Sequence, residues 1–191
     1  MLIIAPEAFF HKIHTCTNLD ATQLPWAEVH LCLATAYAER RPEDGFPKAE
    51  SLDLSAHHYA AALEVFEKPK HPVEWAMVQA NLATALRERS ALLSAENPLP
   101  PPSEAADAEG KKNGNSNGAD ESGSSGKNID LTPLQQEAVD CLEAAIVHYE
   151  CALEVFTQSN SGEVWSVLQN HLAACYADRT VSFLLYRFSN V

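Results

Sequence analysis

The chain has 191 residues, 46% hydrophobic and 20% charged, with 26 acidic against 13 basic side chains and a formal net charge of −13. That balance excludes a wholly disordered chain or a collagen-like fibre, and it disfavours binding to nucleic-acid phosphates or to an anionic membrane surface. Charge-steered partners are expected to be neutral or basic.

The N-terminal Leu2-Ile3-Ile4-Ala5 is too short for a signal-peptide core and lacks a positive flank. No run of 18 apolar residues occurs. The sequence therefore reads as soluble, unsecreted and intracellular, cytoplasmic or nuclear. Pro6 to Ile13, with Ala8, Phe9 and Phe10, reads as a helix that packs on the first repeat of the chain, of the type that precedes the later tryptophans. Five cysteines, Cys16, Cys32, Cys141, Cys151 and Cys175, lack C-x-x-C spacing. They read as small buried apolar residues rather than a disulfide framework or a zinc ribbon.

Next come two units that recur along the chain. The first is Trp26-Ala27-Glu28-Val29-His30-Leu31-Cys32-Leu33-Ala34-Thr35-Ala36-Tyr37-Ala38-Glu39-Arg40, which aligns without a gap to residues 75–89 and 165–179. All three tryptophans of the protein occupy the same slot. The second unit is His58-Tyr59-Ala60-Ala61-Ala62-Leu63-Glu64-Val65-Phe66, matched by residues 148–156. In both copies the histidine precedes the next tryptophan by 17 residues. Apolar residues fall on one face at 3.6 residues per turn in both units, so both are amphipathic helices. With the tryptophan unit called A and the other B, the expected order is A (near 25 to 40), B (48 to 67), A (72 to 94), a linker, B (132 to 158) and A (162 onward).

Residues 98–130 interrupt this pattern with five of the seven glycines and no aromatic residue, a composition that predicts a disordered linker. Thr132-Pro133-Leu134-Gln135 then supplies an N-cap, a first-turn proline and a capping-box glutamine. Tryptophan spacings of 49 and 90 residues place an insertion of 41 inside the second repeat. The expected organisation is N-terminal helical repeats over 1–97, the linker over 98–130, and C-terminal repeats over 131–191 that pack on the first part. Arg40, Arg89 and Arg179 close the three A units, where a cation suits the carbonyl end of a helix.

The steps Leu33-Ala34-x-x-Tyr37, Leu82-Ala83-x-x-Leu86, Leu172-Ala173-x-x-Tyr176 and Ala145-x-x-x-Tyr149-x-x-Ala152 resemble the tetratricopeptide repeat. The runs Ala62-Leu63-Glu64-Val65-Phe66 and Pro72-x-x-Trp75-Ala76 resemble its long-period variety, with Ser55 standing where alanine would open the first B step. The resemblance implies an all-α solenoid of helix hairpins, about two and a half repeats, whose concave face holds a peptide segment or partner protein. Offsets 2, 6, 9 and 13 of each A helix point roughly opposite the tryptophan stripe and would face that groove. They are Glu28, Cys32, Thr35 and Glu39; Met77, Asn81, Thr84 and Glu88; and Val167, His171, Ala174 and Asp178. In the family an asparagine at the offset of Asn81 bonds a ligand backbone, and the recurring acids Glu39, Glu88 and Asp178 would favour a basic ligand.

No phosphate-binding, dinucleotide or nucleophile-elbow motif occurs. His11-x-x-His14-x-Cys16 and His57-His58 lack metal-site spacing. The expectation is a non-catalytic interaction module or scaffold without cofactor or metal. The alternatives are an acidic, chaperone-like binder of basic proteins such as histones, and a purely structural self-assembly element. The apolar stripe of Trp165, Leu168, Leu172 and Tyr176, followed by Val181 to Phe188, suggests self-association through the C-terminal helix or membership of a longer array.

Overall fold

The computed structural model describes residues 23–41, 43, 45–97 and 131–188, the side chains of 181–188 excepted. The short helix read over Pro6 to Ile13, the His11, His14 and Cys16 cluster and the linker 98–130 lie outside the described residues. These residues form five helices: α1 (Gln23–Glu39), α2 (Lys48–Leu63), α3 (Pro72–Glu96), α4 (Pro133–Leu153) and α5 (Gln158–Phe188). Each packs on its neighbour in the chain, most extensively α3 on α4, and α5 also touches α3. The described residues are thus all-α, and α1, α3 and α5 carry the A units while α2 and α4 carry the B units. Among the described residues no helix is long and apolar enough to cross a membrane.

The local signals act as their chemistry requires. Thr132 Oγ1 accepts from the Gln135 backbone N–H at 3.3 Å, and Gln135 Oε1 accepts from the Thr132 N–H at 3.0 Å. This capping box, with Pro133 in the first turn, starts α4. Both B helices stop earlier than their sequence pattern, at Leu63 and Leu153. In each, two successive amides fold back on one carbonyl: those of Val65 and Phe66 on Ala62, and those of Val155 and Phe156 on Ala152. Phe66 and Phe156 are thereby turned into the core rather than carried on along the helix.

Small residues set the helix spacing. Ala27, Ala34, Ala62, Ala76, Ala83, Ala145 and Ala152 are fully buried, which lets helix backbones approach closely. Tyr59 and Tyr149, both 0% exposed, fill the space between the alanines. Trp75 and Trp165 are half-buried rather than enclosed, and Lys68 lies over the Trp75 ring at 5.1 Å. Ser55, buried at the departure from the family pattern, donates to Ala34 O at 2.8 Å. Ser90 likewise donates to Ala138 O at 2.7 Å.

Arginine placement departs from the helix-end reading. Arg89 lies inside α3, which continues to Glu96, and its guanidinium bridges Asp53 of α2 at 2.7 Å and Glu137 of α4 at 2.8 Å. Arg179 lies inside α5 and reaches Glu143 of α4 at 3.3 Å. The carbonyl end of α1 is served by Lys48, which donates to Ala38 O at 2.5 Å and Arg40 O at 3.2 Å, while Arg40 stacks on Phe46.

Candidate partner-binding face

The cross-helix polar contacts repeat with the sequence. Thr35 Oγ1 donates to Leu31 O at 3.0 Å, so its single proton is spent, and the Tyr59 hydroxyl donates to it at 3.3 Å. Thr84 and Tyr149 do the same one copy later, at 3.0 Å to Ala80 O and 2.9 Å between hydroxyls. With its proton on Thr84, Tyr149 accepts from His171 Nδ1 at 3.4 Å, which leaves Nε2 of His171 as the acceptor nitrogen. Burial pushes both phenols up to about 12, so they remain protonated donors.

A second pair recurs beside the first. His30 and His58 meet through Nδ1 atoms 3.0 Å apart, and Gln79 and His148 meet at the equivalent positions. Trp26 lies against His30, with ring centroids 4.1 Å apart, and Tyr37 stacks on His58. A third contact links each B helix to the following A helix: Arg89 with Asp53 and Arg179 with Glu143, both pairs 36 residues apart.

The twelve residues expected along one groove divide among three situations. Cys32 and Glu39 are exposed on α1 and Glu28 is half-exposed, so this stretch is open. Thr35, Met77 and Asn81 are buried, at 7%, 7% and 5% exposure, contrary to the groove reading. The cause is position: α3 is packed by α2 on one side and α4 on the other, and α5 touches it as well, which leaves Met77 and Asn81 no open face. Thr84 and His171 are tied to Tyr149, Glu88 lies 3.8 Å from Lys48, and Asp178 lies 3.7 Å from Arg87. Val167 and Ala174 are half-buried. Two of the three recurring acids thus face a cation of the chain itself, and Glu39 is exposed.

Buried and half-buried cysteines are chemically quiet. Burial pushes the thiols of Cys141 and Cys151 up, and that of Cys175 to about 11, which keeps them protonated. Cys32 differs from the expectation in being exposed. Among the described residues no three histidine, cysteine, aspartate or glutamate side chains converge as a metal would require.

The histidines carry a pH dependence. Burial lowers the pKa of His148; burial, then the charge of Arg87, lowers that of His171; burial, then His30 and His57, lowers that of His58. The folded state then binds fewer protons than the unfolded one, whose imidazoles titrate near 6.5. Stability is complete above that value and is lost as pH falls below it. The expected result is a lower urea midpoint at pH about 5.5 than at about 7.5, and a smaller drop in His148→Gln, which keeps a hydrogen-bonding partner for Gln79. Equal midpoints at the two pH values would contradict this assignment.

Lys48 as a helix cap and Ser55 and Ser90 as cross-helix donors were not legible in the sequence, where the only signal is a polar residue at an otherwise apolar position. An open apolar strip was not legible either. On α1, Trp26 is 41%, Val29 56% and Leu33 39% exposed. The equivalent stripe of α5 is covered instead, with Leu168 and Leu172 buried among the core residues that α4 contributes. Self-association through the C-terminal helix would therefore fall to residues 181–188, whose side chains lie outside the described residues. No protein-family model, no curated protein and no solved structure matches the chain.

Proposed function

We propose that the chain is a tetratricopeptide-like repeat module, a non-catalytic scaffold that holds a partner protein or peptide segment on the face formed by its A helices. The observation that carries the reading is the recurrence of one hydrogen-bonded unit. Thr35 with Tyr59 and Thr84 with Tyr149 are the same contact made twice, as are His30 with His58 and Gln79 with His148. Such stacking of like hairpins builds an extended surface rather than an enclosed cavity, and extended surfaces suit chain-like ligands. The part of that face most open to a ligand is on α1, at Glu28, Cys32 and Glu39. Two acids on one open stretch, Glu28 and Glu39, favour a neutral or basic segment.

An immobilised array of neutral, basic and acidic peptides, probed with the full chain, tests this. The expected result is retention of neutral or basic peptides, weakened at least about tenfold when Cys32→Arg and Glu39→Lys are combined. Retention that the double variant leaves unchanged would overturn the placement of the ligand. Binding confined to highly basic peptides, and abolished by raised salt, would favour the acidic chaperone reading instead.

A further inference from the structure

The exposed strip on α1 has an internal control. Trp26, Val29, Leu33 and Ala36 stand at offsets 0, 3, 7 and 10 of their A unit, and all four are exposed. At the same offsets α3 carries Trp75, Val78, Leu82 and Ala85, the last three at 0%, 5% and 1% exposure. In α5 the set is Trp165, Leu168, Leu172 and Cys175, the last three at 1%, 8% and 0%. What distinguishes the copies is the preceding B helix: α2 packs on α3 and α4 on α5, whereas no B helix among the described residues precedes α1.

We propose that residues 6–16 of this same chain form the missing B-type helix and dock on the Trp26, Val29, Leu33 and Ala36 strip. The register follows from spacing. His58 and His148 each precede the next tryptophan by 17 residues, and the same interval before Trp26 reaches Phe9. Phe10 then occupies the slot of Tyr59 and Tyr149, and Ile13 that of Ala62 and Ala152. Pro6 falls where a helix interior would be broken, so the helix starts there, with proline in the first turn and Glu7 beside the positive helix end.

Two departures from the other B units fit this position. Tyr59 and Tyr149 each donate to a threonine on the A helix that precedes them. Phenylalanine at that slot carries no hydroxyl, so Phe10 brings no phenol donor that needs such a partner. Arg40 stands where Arg89 and Arg179 meet an acid on the preceding B helix, and in this register it would meet Ile4. Its guanidinium lies instead over the Phe46 ring, 4.5 Å from the centroid. The proposal rests on the internal alignment alone and is independent of partner binding.

Amide hydrogen exchange read by mass spectrometry on the full chain tests it. Amides of 6–16 are expected to exchange at least about tenfold more slowly than an unstructured peptide. Val29→Asp, on a side chain that is exposed among the described residues, should abolish that protection and leave α2 to α5 unchanged; Phe10→Asp should do the same from the other partner. Unprotected amides over 6–16 in the parent chain would overturn the proposal. So would a concentration-dependent mass in sedimentation with protection on α1 only, because the strip would then be covered by a second copy. Protection that survives both variants would place the segment elsewhere and overturn it equally.

Discussion

Replacing Tyr149 with alanine is expected to cost on the order of 3–5 kcal/mol in urea unfolding, the range for deleting a large buried ring. The ring is 0% exposed where α3, α4 and α5 meet, and its hydroxyl links Thr84 to His171. Tyr149→Phe keeps the ring and removes the donor to Thr84, so about 1 kcal/mol is expected. Val147→Ala, on an exposed side chain of the same helix, should stay within about 0.5 kcal/mol. If Tyr149→Ala cost no more than Val147→Ala, the packing of α4 against its two neighbours would be wrong. The half-buried Trp75 should lose less on truncation than Tyr149.

Val78→Asp is expected to be as damaging as Tyr149→Ala, at about 3–5 kcal/mol, because it places a carboxylate without a partner in a fully buried site. Domains of this kind hold only about 5–15 kcal/mol in total, so circular dichroism should show a largely unfolded chain or a sharply lowered midpoint. The same substitution at the equivalent Val29 should leave the five-helix core intact. Similar global losses at both positions would mean that the α1 strip is part of the core.

Much of the fold was legible because its signals are local. Helix periodicity, the capping box at Thr132 and the pairing of like units are all written within short windows of sequence. The faces were harder to read, since a helical wheel marks which side is apolar but not how many neighbours a helix will have. Thr35 and Asn81 sit at offsets assigned to the groove, yet both are buried, Thr35 on the side of α1 that meets α2 and Asn81 on a helix hemmed in by three others. The same limit hid Lys48, whose role depends on the turn that brings the start of α2 back to the end of α1. The cysteines show it in reverse: Cys32 matches Asn81 in the alignment, and one is exposed while the other is buried.

The hydroxyl pairs have a bearing on how such a gene can change. Thr35 and Tyr59 are 24 residues apart, Thr84 and Tyr149 are 65 apart, and the two contacts are otherwise alike. The fold therefore constrains which residue meets which, and leaves the length of chain between α3 and α4 nearly free, because lengthening a connection raises its closure cost only logarithmically. Codons added or lost at that tip shift no core residue. Selection for a folded product holds the register of the two helices and is almost blind to what is spliced between them.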